Sequence, residues 1–311
     1  MTQGPISSLV AAELNLPVDP RVAEMAAALA ERYGAAARAV LFYGSCLRSS
    51  ELDGQMLDFY LVVSSYRDAY GGSWLATANR LVPPNVFPFA HGGLVAKYAV
   101  LSEDDLFQLN GPKTLSVSVW ARFAQPSRLV WQADVRAAQL CITAISRAAP
   151  TLLEAARPMI EEDRSADPLE LWREAFRLTY RSELRAERQG RAASVVDADP
   201  ERYRRFTEPV LEAASIGRLL ADGTVALAPV TDRQRARARV LWARRGRTGK
   251  ALTVLRLAKA SGTYAGGIDY LAWKINRHAG TAIEIKPWQR RWPLLGALIL
   301  LPRLLKRGAI G

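Results

Sequence analysis

The stretch Val40-Leu41-Phe42-Tyr43-Gly44-Ser45-Cys46-Leu47-Arg48, followed shortly by Met56-Leu57-Asp58-Phe59-Tyr60-Leu61-Val62-Val63, decides the fold. Its first part is an apolar run that stops at a Gly-Ser pair, which predicts a buried strand over residues 39–42 entering a tight turn. The second is an apolar run over residues 56–63, rich in β-formers and interrupted by one acid, Asp58. Each part has a physical use. Gly44 lets the backbone approach a triphosphate closely. Ser45 and the N–H groups after it can donate to phosphate oxygens, best where a helix starts there. A carboxylate in a strand fit for burial is costly unless it meets a cation or a metal. Mg²⁺ shared between a carboxylate and triphosphate oxygens satisfies that need. An ordinary loop between two strands is the plain structural alternative.

Working outward, Ala-rich helical spacing predicts a helix over 22–33, ended by Gly34. A second helix is expected over 69–80, then the breaker Pro83-Pro84, then a third strand over 95–101. Residues 115–123 suit a strand or a short helix. From 133 to about 220 the pattern is mostly helical, with breaks near Pro150, Asp167-Pro168 and Asp199-Pro200. The two Asp-Pro pairs suit helix starts. Residues 222–230 read as a turn-rich connection, 231–257 as a basic helix, 261–267 as a loop, and 268 onward as helical. The expected plan is an α/β (α+β) domain with a mixed sheet over 1–130, a mostly helical domain over 131–285, and a basic, apolar tail over 286–311.

The chain has 311 residues, a net charge of +12 and a pI near 10.0. That excess favours an anionic partner, whether nucleotide, nucleic acid or anionic membrane surface. A solvated basic face on ordinary helices accounts for the same charge. Two cysteines, Cys46 and Cys141, make no disulfide framework and fit a reducing, cytoplasmic compartment. His91 and His278 lie far apart, which argues against a His/Cys zinc site. Residues 1–10 lack the pattern of a secretory signal.

Gly-Ser followed by a strand-borne acid resembles the DNA polymerase beta-like nucleotidyltransferase superfamily, which carries Asp-x-Asp on the second strand. Here the second position is Tyr60, which is expected to pack rather than ligate. The flanks narrow the resemblance. Tyr43-Gly44-Ser45, Met56-Leu57-Asp58-Phe59, Pro84-Asn85-Val86 and Lys97-Tyr98-Ala99-Val100-Leu101-Ser102 occur in this order. So do Ala121-Arg122-Phe123-Ala124-Gln125-Pro126 and Leu178-Thr179-Tyr180-Arg181-Ser182-Glu183-Leu184-Arg185. Together they resemble the mitochondrial-type phosphatidate cytidylyltransferase family, also called translocator assembly and maintenance proteins, over about residues 39–210. Cys46 stands where the family has Gly, Arg48 for a usual Gln, Ser182 for Gly and Glu183 for Asp.

The resemblance implies Mg²⁺-dependent transfer of CMP from CTP to phosphatidate, giving CDP-diacylglycerol and pyrophosphate. It assigns Asp58, Lys97 and Glu183 to catalysis, with Asp58 and Glu183 on the metal. Gly44, Ser45, Arg48, Lys97 and Arg185 are the expected nucleotide contacts. Cys46 is expected as a small turn filler and His91 as incidental. No stable nucleic-acid partner is implied. Two other readings fit the same residues: a nucleotidyltransferase with a soluble or nucleic-acid acceptor, and a non-catalytic relative that lacks the second Asp.

Near the C-terminus, Ile285 to Lys306 reads IKPWQRRWPLLGALILLPRLLK. Its apolar core, 294–301, falls short of the roughly 20 residues of a spanning helix. Trp288, Arg291 and Trp292 precede that core, and Arg303 and Lys306 follow it. Tryptophans and cations at the edges of a short apolar run suit the headgroup layer of an anionic membrane. The expectation is peripheral attachment at the inner face of the membrane. A C-terminal helix buried on the core is the alternative.

Overall fold

The computed structural model describes residues 4–49, 51–161, 167–182, 191–263 and 284–288. Two helices, α1 (Pro5–Leu14) and α2 (Pro20–Glu31), precede the sheet. In α2, Pro20 occupies the first turn and the Asp19 side chain accepts from the Arg21 N–H at 2.9 Å. Val22, Met25, Ala26, Leu29 and Ala30 follow helical spacing and are buried on one face.

Strand β1 (Ala37–Tyr43) leads through Gly44 into the five-residue helix α3 (Ser45–Ser49), and β2 (Met56–Val63) follows. The helix expected over 69–80 is two helices, α4 (Tyr66–Tyr70) and α5 (Trp74–Leu81). Gly71 at φ +61°, followed by Gly72, breaks them. Next come β3 (Asn85–His91), β4 (Leu94–Ser102), α6 (Glu103–Leu109), α7 (Trp120–Phe123) and β5 (Ser127–Gln132). The sheet order is β3-β4-β2-β1-β5. β2 and β4 are parallel and the other pairs antiparallel, so the sheet is mixed, as expected.

The runs Val40–Phe42 and Phe59–Val63 are apolar without alternation because both faces of the sheet are covered. One face carries Val40, Phe42, Leu57, Phe59, Leu61, Tyr98 and Val100 against α2. The other carries Leu41, Tyr43, Tyr60, Val62, Ala99 and Leu101. On that second face lie α8 (Val135–Ile145), α9 (Ala148–Ala156), α10 (Pro168–Ser182), α11 (Arg191–Asp197) and α12 (Pro200–Ala214). Asp167-Pro168 and Asp199-Pro200 start α10 and α12, and Asp199 caps α12 by accepting from the Arg202 N–H at 3.1 Å. The segment 222–230 contains half of a small hairpin, β6 (Gly217–Leu219) with β7 (Val225–Leu227). The basic stretch forms one long helix, α13 (Asp232–Thr263), which takes in the start of the loop expected at 261.

One hydrophobic cluster runs from Val10 through the sheet to Trp242, so the helical region and the sheet share a core. A buried ion pair ties them further. Arg202 Nη2 donates to Glu13 Oε1 at 3.0 Å, and Arg202 Nη1 to the Ala124 carbonyl at 3.0 Å. Among the described residues, no helix is long and apolar enough to cross a membrane.

Candidate active site at the end of the first strand

The register places Ser127, Tyr43, Asp58, Lys97 and Pro88 in one row across β5, β1, β2, β4 and β3. Directly opposed residues project to the same face. Strand alternation puts Asp58 on the face of Tyr60 and Val62, which is the face covered by the helical region. The chain leaves this row at Gly44, whose φ is +97°, a conformation that L side chains rarely adopt. A Cβ on Gly44 would stand 2.7 Å from Asp58 Oδ2. The turn therefore seats the acid against bare backbone, and the first turn of α3 begins one residue later with the exposed Ser45.

Lys97 comes from the neighbouring strand and places Nζ 3.1 Å from Asp58 Oδ1. The Lys97 side chain is 40% exposed and that of Asp58 16%, so the pair sits at a rim with the ammonium outermost. A solvent-facing lysine on an edge strand does not describe it: β4 is flanked by β2 and β3. Tyr60 is buried, with its ring 5.1 Å from the Tyr43 ring and 5.1 Å from the Phe123 ring. It packs, as its place beyond Asp58 on a covered face requires.

Arg122 in α7 was assigned no role from the sequence, yet its guanidinium lies over the Tyr43 ring at 5.3 Å. Tyr43 is the cross-strand partner of Asp58, so α7 brings a second cation beside the row. Its place in the Ala121–Pro126 motif was the available signal.

Cys46 is buried, and its thiol donates to the Met56 carbonyl at 3.6 Å. Burial, then the nearby Asp58 carboxylate, pushes the thiol pKa up, which suits a turn filler and not a nucleophile. His91 ends β3, exposed, stacked on Phe89.

No protein-family model and no curated protein matches the chain. The family resemblance accordingly stands on the sequence motifs alone. Of the expected residues, Gly44, Ser45, Asp58 and Lys97 come together. The Arg48 side chain, Glu183 and Arg185 lie outside the described residues. So do Arg291, Trp292, Arg303 and Lys306, while Trp288 is exposed. Among the described residues, no group of three or more His, Cys, Asp or Glu side chains gathers to hold a metal. Asp58 is the carboxylate that the described residues place in the row, and its Oδ2, turned to Gly44, is not the oxygen paired with Lys97. That donor set fits Mg²⁺, which commonly takes one or two carboxylates and fills its shell with water and substrate phosphate.

Proposed function

We propose that the chain is a nucleotidyltransferase that passes CMP from CTP to phosphatidate, releasing pyrophosphate and forming CDP-diacylglycerol. The observation that carries the reading is the seating of Asp58 on the Gly44 backbone with Lys97 at 3.1 Å, beside the start of α3. The phosphate of phosphatidate is already a nucleophile at neutral pH, so no strong general base is needed. One of its oxygens attacks the α-phosphorus of CTP, the bond to the bridging oxygen breaks, and the electron pair leaves with pyrophosphate. The barrier is the approach of two anions, so cations and fixed donors do most of the catalysis.

In this reading, the N–H groups after Gly44 hold the triphosphate close to the backbone. Lys97 neutralises phosphate charge, and Asp58 fixes the position of its ammonium. Arg122 adds a second positive charge from the α7 side, placed over the Tyr43 ring. Asp58 would hold Mg²⁺, which when bound would supply Lewis-acid neutralisation of the triphosphate. Glu183 and Arg185 complete the site in the same reading, from the segment after α10. The tail beyond residue 286 brings the enzyme to its lipid by peripheral contact at an anionic membrane face.

The test is Mg²⁺-dependent pyrophosphate release across a panel of triphosphates and acceptors, with CTP and phosphatidate in mixed micelles. The reading predicts turnover with that pair and its loss in Asp58→Ala. Turnover only with a soluble acceptor would replace the lipid assignment. A membrane arm, flotation of the full chain on anionic liposomes, should succeed and weaken on truncation after Pro287.

A further inference from the structure

Helix α13 turns cations inward. Ala238, Trp242, Arg245 and Lys259 are buried at helical spacing, the arrangement that ordinarily carries aliphatic side chains to a core. Ala238 and Trp242 belong to the cluster that covers the Asp58 face of the sheet, so the stripe lies on that side. Arg245 is the deepest of its cations, 2% exposed.

Two indoles surround the Arg245 guanidinium. Its Cζ lies 4.9 Å from the Trp242 ring centre and 5.6 Å from that of Trp120 in α7. The two rings meet edge to face, with centres 6.4 Å apart. Ring faces attract the charge but are weak hydrogen-bond acceptors. Among the described residues, Arg245 Nε and Nη1 are buried without a hydrogen-bond partner, and so is Nε1 of the fully buried Trp120. Trp242 differs, since its Nε1 donates to the Ala155 carbonyl at 3.0 Å. The three orphan groups of this neighbourhood are all N–H donors, so they cannot satisfy one another.

The charge is short of a partner as well. Glu154 is the carboxylate that bears on Arg245, yet it is exposed and makes no ion pair with it among the described residues. Burial pulls the guanidinium pKa down, against the opposing effect of Glu154.

Buried donors left unbonded and a buried charge left uncompensated are both costly. Water accepts from part of such a set but carries no charge. An anion meets both needs. One guanidinium balances one negative charge, and side chains so closed to solvent leave a bulky ligand no way in. We propose that Arg245 and Trp120 bind a small monoanion of the halide kind between α13 and α7. The ion accepts from the guanidinium and from the Trp120 indole N–H. It ties the long basic helix to the short helix that carries Arg122. The site stands on its own donors and does not rest on the nucleotidyl-transfer reading.

The test is chloride binding to the full chain, read in two ways. One is broadening of the chloride NMR line. The other is thermal unfolding in sodium chloride against sodium gluconate at equal ionic strength. The parent should broaden the line, bromide should compete the broadening away, and chloride should raise Tm above its value in gluconate. Arg245→Met should abolish both effects. Trp120→Phe keeps the charge and an aromatic ring but removes the N–H, and should weaken chloride binding by about tenfold. It decides the matter if Arg245→Met does not fold. The site is overturned if the parent leaves the line unbroadened and melts alike in both salts. It is equally overturned if either folded variant binds chloride as the parent does, which would place the ion on the basic surface instead.

Discussion

Gly44 and Asp58 meet backbone to side chain: a methyl group on Gly44 would lie 2.7 Å from Asp58 Oδ2. The positive φ of +97° and the missing Cβ are both used, one to turn the chain off β1 and one to admit the carboxylate.

Gly44→Ala should therefore fail twice. The backbone strain costs about 1–3 kcal/mol, and the methyl displaces Asp58. Thermal unfolding should show the stability loss, and transfer activity should fall far below what that loss explains. An alanine variant with unchanged activity would mean that the acid need not touch the turn.

Lys97→Met separates structure from chemistry. The pair with Asp58 is partly exposed, so its loss should cost about 1 kcal/mol or less. Under the proposed transfer, activity should fall by about 100-fold or more, since the cation assigned to the transferring phosphate is removed. Steady-state kinetics beside a denaturant titration checks both numbers.

The sequence made the strand–turn–strand unit legible because β1 and β2 are short, apolar and joined by Gly-Ser. The neighbour of Asp58 was harder to see. Lys97 reaches it through a parallel pairing across 39 positions of chain, a register that no local pattern fixes. Strand β3 was hidden by Pro88, tolerable there because β3 is a sheet edge. Strand β5 was missed because Ser127 and Arg128 open it with polar side chains, and only pairing to β1 draws them in. The basic helix was read with a solvated face as one choice. Its inward cations follow the same spacing as an apolar stripe, so charge alone concealed their burial. The Asp-Pro helix starts were legible because the cap and the fixed proline φ are local.

The Glu13–Arg202 pair should be a stability hinge. Both side chains are at least nine-tenths buried, and Arg202 also holds the Ala124 carbonyl just beyond α7. Glu13→Gln leaves a buried guanidinium without its counter-charge and should destabilise the fold by about 3–5 kcal/mol. Urea unfolding with an unchanged midpoint would contradict this.

Lys259 should make stability depend on pH in a defined window. Its folded pKa, near 7, lies below the ordinary 10.5, so between those values the unfolded chain holds more protons and stability rises with pH. Below about 7 both states are protonated and the burial penalty is felt in full. Lys259→Met should melt above the parent, with the gap widest at pH 6–7 and shrinking towards pH 10. A gap that is flat or grows with pH would contradict the assignment.

The most direct test of the central claim is pyrophosphate release from CTP with phosphatidate and Mg²⁺, parent against Asp58→Ala. The account predicts release by the parent, dependent on both substrates, and at least a 100-fold loss in the folded variant. Release from no triphosphate, with parent and Asp58→Ala indistinguishable, would contradict it.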